Sequence, residues 1–128
     1  FAACYADLDH FKEFNDRYGF REGDRVIRMT ARVLYDAAFG LAGPEAFVGH
    51  VGGDDFVLVL PLEQSTEVCE LAIEVFDTLA PLQYSESDRR AGYYFGKDRR
   101  GHLHRVPLMS LSIGATTNER RPLRSVAE

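Results

Sequence analysis

Asp7–Asp24 reads D-L-D-H-F-K-E-F-N-D-R-Y-G-F-R-E-G-D, and its first two residues close an apolar run, Phe1–Leu8 (FAACYADL). The run is short, apolar apart from Asp7 and lacks helical spacing, so it predicts a buried strand feeding a short first helix. Gly19 breaks that helix. Gly23-Asp24 is expected to open a second helix, in which Ile27, Thr30, Ala31, Leu34 and Ala38 recur at three- and four-residue steps until Gly40–Pro44 ends it. Next, AFVGHV and FVLVLP flank Gly52-Gly53-Asp54-Asp55, a glycine-led tight turn between two extended apolar runs.

Ser65 is the expected N-cap of a further helix, with Val68, Leu71, Ala72, Val75, Phe76 and Leu79 on its apolar face and Pro81 at its close. A polar loop around Tyr84–Arg90 follows. GYYFGKD then faces LHRVPLMSLSIGAT across Asp98–Gly101 as a second hairpin. The order β-α-α-β-β-α-β-β, with hairpins in place of regular βαβ alternation, predicts an α+β fold: helices packed on a largely antiparallel sheet, with an extra β-hairpin.

With 128 residues, 45% hydrophobic and 27% charged, the chain has the composition of one globular domain that needs no disulfide or structural metal for its core. The net charge of -5 argues against nucleic acid or anionic lipid as a partner recruited by overall charge. Cys4 and Cys69, without C-x-x-C spacing, read as reduced core thiols of a cytoplasmic protein. No eighteen-residue apolar stretch and no basic-plus-apolar leader is present in the sequence. Because Phe1 already lies in a strand, the 128 residues are expected to be a single domain from a longer protein, with sensory or membrane-anchoring parts outside it.

Four carboxylates are committed to strand ends: Asp7 and Asp9 after the first strand, Asp54 and Asp55 in the tight turn. Carboxylates that converge repel one another, and an all-oxygen set with few side chains suits Mg²⁺ shared with substrate phosphates. Gly52 and Gly53, lacking side chains, would let a phosphate approach backbone N–H groups. A solvated acidic turn is the competing reading. Lys12 stands one helical turn from these carboxylates as a point charge for phosphate. Asn15 and Asp24 can serve a purine, the acid accepting from N1–H and the exocyclic amine of guanine and the amide meeting O6 or N7, or they can simply cap helix ends.

Asp7–Asp24, then G-G-D-D-F at Gly52–Phe56, then S-I-G-A at Ser112–Ala115, together resemble the GGDEF domain of diguanylate cyclases. The resemblance implies a ferredoxin-like nucleotidyl-cyclase fold, Mg²⁺ or Mn²⁺, and the joining of two GTP into cyclic di-GMP with release of pyrophosphate, across a homodimer. It implies that Asp7, the Leu8 carbonyl and Asp55 hold metal, and that Asp54 holds metal or helps deprotonate the attacking 3′-hydroxyl. By the same resemblance, Phe11 and Lys12 approach the phosphates, Gly52 and Gly53 cradle them, and Asn15 and Asp24 read guanine.

Four positions depart from the family pattern. Asp55 replaces the usual glutamate and is shorter by one methylene, roughly 1.5 Å of reach. His50 stands where arginine is common. Gly43 and Ala46 occupy the R-x-x-D positions of the inhibitory product site, so feedback through that site is not expected. The sequence stops at Glu128, before the family's last helix and its phosphate-contacting lysine and arginine. Arg89–Arg105 carries six Lys and Arg, His102 and His104 against one acid, Asp98, and reads as a solvated hairpin or a docking surface rather than a nucleic-acid groove. The alternative to turnover is a GTP-binding module that regulates a linked domain such as an EAL phosphodiesterase; a scaffold without nucleotide is the third reading.

Overall fold

The computed structural model describes residues 1–115 and, as backbone, 116–117 and 122–124. Its elements are β1 (Ala2–Asp9), α1 (Phe11–Tyr18), α2 (Phe20–Ala42), β2 (Phe47–Gly52), β3 (Asp55–Leu60), α3 (Leu62–Leu79), α4 (Glu86–Ala91), β4 (Tyr93–Lys97), β5 (Leu103–Pro107), β6 (Ser110–Thr117) and β7 (Pro122–Arg124). Five strands form an antiparallel sheet in the order β2-β3-β1-β6-β7, and β4-β5 form a separate hairpin. This is the expected α+β arrangement of helices on an antiparallel sheet with an extra hairpin.

Alternation along the strands gives the sheet two different faces. Ala2, Cys4, Ala6 and Leu8 of β1, with Phe56, Leu58 and Leu60 of β3, are buried with Val26, Leu34, Val68 and Phe76 of α2 and α3. Tyr5 and Asp7, one residue out of step, stay exposed on the opposite face. The two thiols fall within the packed layer: Cys69 of α3 donates its S–H to the Cys4 sulfur at 3.8 Å, and both are free.

The structure corrects several sequence expectations. α2 starts at Phe20, so Gly23 and Asp24 lie inside it. Gly19, at φ 94°, turns the chain sharply, and the Gly23 N–H to Gly19 carbonyl bond (3.0 Å) closes the first turn three residues early. α3 starts at Leu62 behind Pro61; Ser65 is buried within its first turn, donating to the Leu62 carbonyl at 2.9 Å instead of capping. Pro61, with φ held at −56°, both ends β3 and sets up the helix.

The supposed loop at Tyr84–Arg90 contains α4, capped by Ser85 Oγ accepting from the Asp88 N–H. The run LHRVPLMSLSIGAT breaks at Leu108–Met109 into β5 and β6, which join different sheets. Periodicity missed both because burial there comes from distant elements. Tyr84 donates no local bond but accepts the Met109 N–H at 2.8 Å, anchoring the break. Asp88 is 4% exposed.

Asp88 also ties the hairpin region to α1. Arg17 donates to it through Nε (2.6 Å) and Nη2 (2.9 Å), and the Tyr18 hydroxyl donates as well. The Arg17 guanidinium lies 4.6 Å over the Tyr94 ring. Arg17 holds the Asp88 carboxyl below the usual carboxylate range. A depressed folded-state pKa stabilises above the unfolded value and is lost as pH falls below it. Urea unfolding is therefore expected to show stability declining below about pH 4, with Asp88→Asn costing about 2 kcal/mol at neutral pH and flattening that acid-side decline.

Candidate functional site

The β1–β3 register places two of the acidic positions side by side. Asp7 pairs directly with Asp55, at the last rung before β3 gives way to the turn. Cross-strand partners share a face, and direct neighbours have Cβ atoms roughly 5 Å apart. Asp54 sits in the turn next to them, with Gly53 at φ 54° and Gly52 at φ 153°. A Cβ at either glycine would meet no atom within 4 Å, so both backbones border open space. Beyond Asp7, β1 continues beside β6 alone, pairing Leu8 with Leu111 and Asp9 with Ser110, so the Leu8–Asp9 backbone borders the opening next to the turn.

Asp9 behaves differently from the other three carboxylates. It accepts hydrogen bonds from Ser110 Oγ (2.6 Å) and Ser112 Oγ (2.5 Å) of β6 and is thereby held in place. Asp7 is pushed above its usual carboxylate range by partial burial first, then by the charges of Asp9, Asp54 and Asp55. That uncompensated repulsion is what a divalent cation would relieve, so the donor set fits the expected Mg²⁺. Among the described residues no three His, Cys, Asp or Glu side chains enclose a metal by themselves. The set is open, as suits a cation completed by phosphate oxygens.

Two histidines shape this corner: His50, which the sequence marks only as standing where arginine is common, and His10. His50 donates Nε2–H to the Gly53 carbonyl at 2.8 Å and stacks on Phe56 at 4.8 Å, bracing the glycine turn where β2 bulges between His50 and Gly52. His10 adopts φ 66° between β1 and α1, a left-handed conformation in which histidine is enriched among non-glycine residues. The strand thereby turns at once into α1, bringing half-buried Phe11 and exposed Lys12 to the helix start beside Asp9. The signal for His50 was its i+3 spacing to Gly53; His10 left none.

Asn15 and Asp24, the residues expected to read a purine, lie at the α1–α2 corner. A Cβ on Gly23 would lie 1.7 Å from Asn15 Oδ1, so glycine is required for the amide to rest against α2. Asn15 Oδ1 is buried there without a hydrogen-bond partner. Asp24 follows directly and is exposed. Neither side chain caps a helix: α1 and α2 have His10 and Gly19 at their N-caps, with no side-chain cap bond. Asp24 is thus open to solvent, while Asn15 keeps its Oδ1 inward against Gly23. On the sheet's open face, a depression next to the carboxylates is lined by Tyr5, Asp7, Val51, Asp55 and Gly114.

This arrangement is that of an α+β domain with an acidic rung and a glycine turn at one end of an antiparallel sheet. A family model described as "Diguanylate cyclase, GGDEF domain" matches residues 1–96, and the chain belongs to that family. Over 74 residues, 58% of this chain and 8% of its relative, it is 35% identical to the cyclic di-GMP phosphodiesterase PdeB of Shewanella oneidensis. Over 66 residues, 52% of this chain and 14% of the relative, it is 33% identical to the diguanylate cyclase DosC of Shigella sonnei. The GGDEF domain of DgcB from Caulobacter crescentus, solved in complex with c-di-GMP, is similar at 26% identity and a TM-score of 0.57, covering 90% of this chain and 57% of that one. The chain therefore spans a small part of both curated relatives.

Two outcomes test the geometry. In chelator-treated buffer at neutral pH, Asp7→Asn is expected to raise the melting temperature, because a carboxylate whose folded pKa is raised loses stability as it ionises; Mg²⁺ should then stabilise the parent domain more than the variant. Gly23→Ala is expected to cost about 1–3 kcal/mol by overpacking, measured by urea unfolding, and adding Asn15→Ala should recover most of that loss.

Proposed function

We propose that the domain binds Mg²⁺–GTP at the Asp7/Asp55 corner and, as two copies facing each other, joins two GTP into cyclic di-GMP. The observation that carries this reading is a paired carboxylate rung beside a glycine turn open to phosphate, at the strand end that leads into α1 with its unsatisfied Asn15. Asp7, Asp55 and the Leu8 carbonyl would hold Mg²⁺ or Mn²⁺, with Asp54 beside them. When bound, the metal neutralises phosphate charge and activates the 3′-hydroxyl. Lys12, Phe11 and the Gly52–Gly53 backbone hold the triphosphate; Asn15 and Asp24 orient guanine.

The 3′-oxygen of one GTP attacks the α-phosphorus of the other, the bond to pyrophosphate breaks, and Asp54 would accept the hydroxyl proton. A second round closes the ring. In-line phosphoryl transfer asks the protein for positioning and charge neutralisation and needs no protein nucleophile. Each domain would hold one GTP, so the two α-phosphates would meet only in a dimer.

A second reading has its own support: the domain binds GTP and regulates a linked phosphodiesterase. Asp55 reaches less far than glutamate would, and a displacement of about 1 Å at the reacting centre can cost on the order of a hundredfold in rate; sequence likeness extends to PdeB, a phosphodiesterase by name. Incubation with GTP and Mg²⁺, followed by chromatography, separates the two. Cyclic di-GMP that disappears on Asp7→Asn supports turnover. GTP binding without product, with product gained in Asp55→Glu, supports the regulatory reading, and no GTP binding at all removes both.

A further inference from the structure

Phe20 is 80% exposed, the most exposed of the large apolar side chains among the described residues. It is the first residue of α2, immediately after the Gly19 corner. Residues four apart on a helix share a face one turn apart, so Phe20 stands directly below Asp24 along α2. Gly23 lies on the adjoining strip, where it carries the Asn15 amide. The corner thus has two edge-reading groups, Asn15 and Asp24, and next to them an aromatic ring with no cover.

Asn15 and Asp24 can meet only the rim of a planar base, since hydrogen bonds lie in the base plane. The face of the base remains to be covered. An exposed phenylalanine forgoes a hydrophobic gain that burying it would supply, and a π-face suits a purine better than it suits water. We propose that Phe20 is the stacking platform for the guanine base of GTP, setting affinity while Asp24 sets the identity of the base. This rests on the GTP-binding reading above.

The test uses the full chain, Mg²⁺ and a non-reactive GTP analogue with a methylene between the α- and β-phosphates, with its inosine counterpart alongside, read by calorimetry. Phe20→Ala is expected to weaken both nucleotides by the same factor, about five- to a hundredfold, without lowering the melting temperature. Phe20→Trp should bind at least as tightly as the parent chain. Asp24→Ala should instead collapse the preference for guanine over hypoxanthine, which lacks the exocyclic amine. If the parent chain binds neither nucleotide, the GTP reading itself fails. If it binds both and Phe20→Ala changes affinity less than twofold, or Phe20→Leu binds as well as the parent, the stacking platform is overturned while the GTP reading stands.

Discussion

The β1–β3 register is the constraint on which the rest of the structure depends. Antiparallel pairing that sets Ala2 against Leu60 must set Asp7 against Asp55. A slip of one residue would turn Cys4, Ala6 and Leu8 out of the core and Asp7 into it. The apolar layer under α2 and α3 therefore fixes the acidic rung as firmly as it fixes itself. The repulsion within the rung is the cost of that arrangement, and it is set against a core in which Phe14, Phe56 and Phe76 are almost wholly buried.

Around the rung, small devices hold the backbone where phosphate chemistry would need it. His50 braces the glycine turn from below, and His10 lets β1 end and α1 begin without a loop. Ser110 and Ser112 reach across from β6 to hold Asp9, leaving Asp7 to face its acidic neighbours. On the far side, the Arg17–Asp88 pair fastens α1 to α4, so the helix bearing Phe11, Lys12 and Asn15 is anchored at both ends: at β1 by the chain itself and at α4 by a bidentate ion pair. Such double anchoring keeps Phe11, Lys12 and Asn15 in fixed relation on one helix.

Among the described residues no helix is long and apolar enough to cross a membrane. The basic segment divides its charges. Arg89 is spent locally, donating to the Pro81 and Tyr84 carbonyls, and Arg105 covers Tyr93 at 4.3 Å, while Asp98 folds the hairpin tip by accepting from the Arg100 and His102 N–H groups. The expected helix beyond Glu128 lies outside the described residues.

Local physics made much of this protein legible in one dimension. Alternation and apolar runs marked β1, β2 and β3, glycine marked the turn, and three-and-four spacing marked α2 and α3, because each signal arises within a few residues. The candidate site residues were legible for the same reason: they cluster at strand ends and one helix corner. What only the tertiary structure decided involves partners far apart in the chain. Ser65 turned inward because Pro61 had already begun the helix. α4 and the β5–β6 break depend on Tyr84 meeting Met109 and on Asp88 meeting Arg17, at separations of 25 and 71 residues. That Asn15 is left unsatisfied rather than capping a helix likewise follows from how closely α1 and α2 approach at Gly23, a distance set by packing and invisible to periodicity.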